Sequence, residues 1–171
     1  NIYSKSQNLS NTTQNRLIAI DIAREWIEAM TNIRDTNWML FASNTNNCWN
    51  VLDYNSSCIT TPTTFEITAW SYIIYNDSDN RWRLFSKSTW PYSSATYRTA
   101  FEVKKDTNWF YSQNWLTTFK PLFTREIKIT YPDATPHKTM NVQSIVRWSD
   151  PSKSSWNFEV KLETVLTNWK K

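Results

Sequence analysis

Asp21-Ile22-Ala23-Arg24-Glu25-Trp26-Ile27-Glu28-Ala29-Met30-Thr31-Asn32-Ile33-Arg34-Asp35 is the stretch whose periodicity decides the fold. Asp21, Glu25, Glu28, Asn32 and Asp35 recur at alternating four- and three-residue steps, a spacing that lines one face of an α-helix with polar groups. Leu17, Ile18, Ile20, Ile22, Ile27, Ala29 and Ile33 build a broad apolar face opposite. Good helix formers dominate Ala23–Met30, and no proline interrupts the run. The pattern predicts one continuous helix over residues 9–34, about 40 Å long.

Beyond Asp35 the period changes from helical to alternating. Phe65–Thr68, Ser71–Tyr75, Arg81–Phe85, Tyr97–Val103, Arg125–Tyr131, Val142–Trp148 and Phe158–Val165 all read as strands. In the last, Phe158, Val160 and Leu162 point one way while Glu159, Lys161 and Glu163 point the other. A sheet with one wet face is antiparallel. Polar turns at Asn76–Asn80, Pro132–Lys138 and Ser149–Ser155 separate the runs, and no helical crossover lies between strands, which argues against a parallel βαβ layout. The expected fold is α+β: a long amphipathic N-terminal helix packed on an antiparallel β-sheet. The helix over 1–35 and the β-domain over 36–171 are read as one folding unit. Ile127, Ile129, Val146, Trp148, Phe158, Val160 and Leu162 are its expected core.

Composition narrows the class. The chain has 171 residues, of which 16% are aromatic and 20% charged. That is enough for one domain with a real core, and too aromatic for a disordered chain. No run reaches the roughly 18–20 apolar residues of a membrane span, and no secretory signal is visible. Net charge is +4 with both signs interspersed. The densest basic clusters are Lys104-Lys105 and Lys170-Lys171, so no specific nucleic-acid site is evident. With 22 Thr, 18 Ser and 18 Asn, about a third of the chain is polar and uncharged, which suits β-structure facing water outside the cell.

Two counts are unusual: no glycine and eleven tryptophans. Average usage would supply roughly a dozen glycines, and turns need the positive φ that glycine adopts freely. Asn108-Trp109 and Asn114-Trp115 read like hairpin Asn-Gly steps with the glycine replaced. Trp26, Trp70, Trp90, Trp109, Trp115 and Trp156 are therefore read as glycine positions, as when a gene from a lineage reading UGA as glycine is translated with UGA as tryptophan. They are expected to be exposed, strained or at positive φ. The alternative is a Trp-rich chain whose turns use Asn, Asp and Ser. Trp38, Trp49, Trp148 and Trp169 are expected to be packed, with Trp82.

Cys48 and Cys58 bracket a short loop. They are too few for a metal site with the only histidine, His137, remote in sequence, and they lack the Cys-x-x-Cys spacing of a redox pair. A disulfide is the reading if the protein is exported; two buried thiols are the alternative. Candidates for catalysis are few. His137 lies in a turn-like loop and has no nucleophile assigned to it. Glu25 and Glu28 are explained by a solvated helix face, and a glycine-rich phosphate loop is impossible. No enzyme activity and no cofactor are expected.

One set of motifs is more specific. Ala23-Arg24-Glu25-Trp26-Ile27-Glu28-Ala29 leads into Asn32-Ile33-Arg34-Asp35-Thr36-Asn37-Trp38 and then Cys48-Trp49-Asn50. Near the C-terminus come Ser144-Ile145-Val146-Arg147-Trp148, Val160-Lys161-Leu162-Glu163-Thr164 and Leu166-Thr167-Asn168-Trp169. These resemble the type IV pilin-like (prepilin, pseudopilin) proteins of small-genome bacteria, whose helix beyond the membrane carries Ala-Arg-Glu-Gly-Ile-Glu followed by Asn-Ile-Arg-Asp-Thr-Asn-Trp. The resemblance is strong over 23–50, fair over 122–169 and vague between. Trp26 departs from it, standing where the family has glycine.

The resemblance implies that residues 1–35 are the C-terminal half of a spine helix. Its apolar half would lie upstream and anchor the subunit in the inner membrane before assembly. It implies an extracytoplasmic, structural subunit of a pilus or secretion-type pseudopilus, with other pilin or pseudopilin subunits as partners. Arg24, Glu25, Arg34, Asp35 and Trp38 carry over as helix-end and loop-anchoring residues, although the Arg34–Asp35 pair reads equally as a surface ion pair worth under ~1 kcal/mol. The competing expectation is a stand-alone cell-surface β-module that binds carbohydrate or another surface. It requires an exposed aromatic strip with convergent Asn or Asp groups.

Overall fold

The computed structural model describes residues 2–88, 91, 93–105, 111–113, 122–149 and 156–168, without the side chains of 2–10, 105, 112, 156 and 157. One long helix, α1 (Ile2–Leu40), lies across one face of an antiparallel sheet. At 39 residues it is about 58 Å long, and it extends beyond the expected 9–34 at both ends. Asp35, Thr36 and Asn37 are weak helix formers. The last turn persists because Asn37, Trp38 and Phe41 are all buried, which outweighs propensity.

The sheet consists of β1 (Ser71–Asn76), β2 (Trp82–Lys87), β3 (Glu102–Lys105), β4 (Tyr111–Ser112), β5 (Phe123–Thr130), β6 (Thr139–Ser149) and β7 (Trp156–Thr167). Its spine runs β2-β1-β5-β6-β7. Beyond β1, the opposite end of β5 pairs with β3, which carries β4. All described pairings are antiparallel. In β5 the odd residues Phe123, Arg125, Ile127 and Ile129 share the face beneath α1, while Glu126 and Lys128 face away, following the two-residue period of a strand.

Two expected strands are not strands. Residues Tyr97–Val103 split into a helix, α3 (Ala95–Phe101), and the start of β3. The run looks β-like because Tyr97, Thr99, Phe101 and Val103 recur at every second position. However, Ser94 caps the helix by accepting from the Tyr97 N–H, and Tyr97 and Phe101, one turn apart, both bury on the outer sheet face with rings 4.6 Å apart. Phe65–Thr68 contributes only an isolated bridge between Val51 and Glu66. The short helix α2 (Thr45–Cys48) and two 3₁₀ turns, Leu52–Tyr54 and Ser56–Ile59, fill the segment after α1.

The core lies between α1 and the sheet. Met30, Ile33, Trp38 and Trp49 pack with Ile127, Ile129, Met140 and Val142 under the C-terminal half of the helix. Ala19, Ile22 and Ala23 pack with Phe123, Val146, Trp148 and Val160 under its middle. Phe158 and Leu162 are half-buried against the second cluster. Each large apolar side chain buried in this way contributes roughly 1.5–3 kcal/mol. Leu17, expected on the apolar face, is exposed. Asp21, Glu28 and Asn32 are exposed as expected, while Glu25 and Asp35 are partly covered.

The six glycine-like tryptophans do not behave alike. Trp26 is 0% exposed in regular helix, which corrects the expectation that it is exposed or strained. Trp70 is 45% exposed, as expected, but not at positive φ. The backbone of Trp156 is ordinary strand. Trp90, Trp109 and Trp115, together with Trp169, lie outside the described residues. The described residues at positive φ are Asp53, Tyr54, Thr63 and Asn80, so the turns use Asp and Asn, and accept strain at Tyr54 and Thr63.

Candidate functional site

The residues singled out on α1 fall into two groups with separate tasks. The first is at the helix end. Arg34 pairs with Asp35 at 2.8 Å, and its guanidinium lies 4.5 Å from the centre of the buried Trp38 ring. Asn37, which sequence reasoning missed, anchors the loop that follows. It is fully buried, and its Nδ2 donates to the carbonyls of Val51 (3.0 Å) and Trp49 (3.3 Å). Its signal was present in the Asn37-Trp38 step of the quoted motif. Nothing local marks that side chain as the one turned inward.

The same loop is stapled. Cys48 and Cys58 form a disulfide with Cα atoms 5.4 Å apart, inside the usual range for bridging. Around it Phe41, Val51 and Phe65 form a small separate core. Trp49 Nε1 donates to the His137 carbonyl at 3.1 Å, and Asn168 Nδ2 to Asn46 Oδ1 at 3.1 Å. The helix end, the stapled loop and the loop before β6 thus form one junction.

The second group lies mid-helix. Arg125, on the inner face of β5, is buried under α1. Its Nη1 donates to Glu25 Oε2 at 2.8 Å, and its guanidinium sits 3.4 Å from the Trp26 ring centre. Burial pulls the Arg125 pKa down, and the Glu25 carboxylate opposes it. Neither Arg125 Nε nor Trp26 Nε1 has a hydrogen-bond partner, an unusual state for buried polar atoms. Arg24 points to solvent, 3.9 Å from Asp21, in a contact too loose and exposed to contribute much. It is not brought together with the other motif residues.

A polar network occupies the outer sheet face beneath α3. Glu126 accepts from Ser71 Oγ (2.6 Å), Tyr97 Oη (2.7 Å) and Arg147 Nη1 (3.1 Å), and Arg147 Nε donates to Glu159 (2.7 Å). Burial and the Glu126 charge push the Tyr97 hydroxyl far above its ordinary pKa. The network fixes α3 to the sheet, and it presents no nucleophile with a positioned base.

His137 stacks on Tyr131 at 3.9 Å, with Nδ1 2.9 Å from the Asp133 carbonyl oxygen. Glu25 is committed to Arg125 and Glu28 is exposed, so the two do not work as a pair. Among the described residues no group of three His, Cys, Asp or Glu could hold a metal ion, and no helix is long and apolar enough to cross a membrane. A cleft of about 90 Å³ between β1, β2, α3 and β3 falls well below the ~300 Å³ of small-molecule pockets. Trp70 and Phe85 are exposed, but they do not share a strand: Phe85 lies on β2 opposite Ile73, and Trp70 sits in the bend before β1. No family model, curated protein or solved structure matches this chain.

Proposed function

We propose that this chain is the extracytoplasmic part of a type IV pilin-like subunit, a structural component of a pilus or secretion-type pseudopilus. The observation that carries the reading is α1. It starts at Ile2, yet its first buried residue among those with described side chains is Ala19, and only its later part forms core with the sheet. A helix that continues well ahead of its own domain's core suits a spine that packs against other subunits. The motif residues at the helix end support the same reading, because Asn37 and Trp38 tie the spine to the β-domain. The disulfide fits an oxidising compartment. The subunit is read as non-enzymatic and anchored in the inner membrane by an upstream apolar helix until it is assembled.

Reading the gene upstream of Asn1 is the first test, and a leader followed by an apolar helix is the expected result. Immunogold labelling of the native organism then places the chain in an extracellular or envelope-spanning fibre. Recovery of the chain from the cytoplasm with Cys48 and Cys58 reduced overturns the reading.

A further inference from the structure

Among the described residues, β7 is a long edge strand. Its twelve residues pair with β6 and with no other strand among the described residues, whereas β2, at the opposite end of the sheet spine, has six. Exposed edges invite pairing with another chain, and proteins usually block them with proline, lysine clusters or bulges. β7 contains no proline, and its described irregularity is at its start, opposite Trp148/Ser149. Its outer face instead alternates in sign: Glu159, Lys161 and Glu163, then the exposed Val165.

We propose that β7 is a homodimerisation edge, and that two copies pair antiparallel about a two-fold axis at Leu162. That register is selected by charge. It sets each Lys161, which lies 2.7 Å from its own chain's Glu163, opposite the second copy's Glu163, so the two intrachain pairs join into one alternating four-charge cluster across the strands. It sets Glu159 opposite Val165, which leaves no bare carboxylate because Glu159 is already held by Arg147 at 2.7 Å. On the helix-covered face it sets Phe158 against Leu166, Val160 against Thr164 and Leu162 against its own copy; of these Phe158, Leu162 and Thr164 are only partly buried in one chain and gain cover, while Val160 and Leu166 are already buried.

The neighbouring registers are worse. An axis at Lys161 opposes lysine to lysine and Glu159 to Glu163, and like charges directly opposite are destabilising. An axis at Glu163 opposes glutamate to glutamate. An axis at Val160 matches Glu159 with Lys161 but leaves Val165 and Leu166 with nothing opposite them in the strand. The inference uses only the strand edge and stands apart from the fibre reading.

Sedimentation of the whole chain from about 1 to about 200 μM reads the dimer by mass action. The expected result is a concentration-dependent dimer, weakened when salt rises from about 0.05 to about 1 M. Lys161→Glu and Glu163→Lys each weaken it about tenfold or more. The double variant Lys161→Glu/Glu163→Lys restores it, because the same pairs re-form with exchanged signs. Both side chains are exposed, so the circular dichroism spectra of all four proteins coincide, and the salt series reads the charge contribution without any substitution. A wild-type chain that is monomeric throughout overturns the proposal, as does a dimer indifferent to salt and to both single reversals. A double variant that stays monomeric overturns the Leu162 register, since an axis at Val160 would then oppose glutamate to glutamate.

Discussion

The Arg125 guanidinium lies 3.4 Å from the centre of the Trp26 ring, and both side chains are buried between α1 and β5, with the Glu25 carboxylate paired to the cation. A stacked, paired arginine of this kind clamps the helix to the sheet, with shape supplied by the indole and charge balance by Glu25.

Replacing Trp26 by Gly therefore has a definite expected outcome. It removes a fully buried side chain, for about 3–5 kcal/mol, and places glycine inside a helix, for about 1 kcal/mol more. Glu25→Gln leaves Arg125 as a buried charge without its partner and costs about 3 kcal/mol. Urea titration measures both. A Trp26→Gly loss below about 1 kcal/mol would return position 26 to the glycine reading.

Asn37→Ala removes the donor that serves the carbonyls of Trp49 and Val51. Those acceptors lose their partner inside the core, and the expected loss is about 2 kcal/mol. Amide hydrogen exchange should show faster opening in residues 41–67 than in β6.

The Cys48–Cys58 bridge closes a loop of sequence separation 10. Opening it by reduction, or by the double change to Ser, should lower stability by about 3 kcal/mol through the entropy regained by the unfolded chain. Differential scanning calorimetry with and without reductant measures the shift.

Asp133 supplies a pH dependence. Desolvation pushes its pKa up, but the backbone N–H groups of Lys138 (2.6 Å) and Thr139 (3.0 Å) outweigh this and hold it below the ordinary value. A carboxyl depressed in the folded state contributes stability that is complete above the unfolded pKa of about 4 and is lost as pH falls through the folded value. Asp133→Asn should flatten the decline in stability as pH falls below about 4. Equal slopes for the two proteins would rule out Asp133 as a contributor.

Thr63 sits at φ 75° and is exposed. A β-branched residue is strained there, so Thr63→Gly should raise stability by about 1 kcal/mol. Trp70→Gly, at ordinary φ, should bring no such gain, and comparing the two by urea titration separates backbone strain from side-chain exposure.

The sequence by itself determined the elements whose burial pattern is regular. Residues Asp21–Asp35 could only be a helix with Ile22, Ala29 and Ile33 inward, and the alternation from Phe158 to Glu163 could only be a one-sided strand, because period and exposure coincide there. Tertiary structure decided what no local pattern encodes. Tyr97–Phe101 became helix because, beside the local Ser94 cap, Tyr97 meets Glu126 and Arg147, residues distant in the chain. α1 ran on to Leu40 because Asn37 and Trp38 found partners in a loop stapled ten residues apart. Trp26 became core because Arg125, about a hundred residues away, lies beneath it. Each was settled by a contact between segments far apart in the chain, and such contacts form only when the whole fold places both partners together.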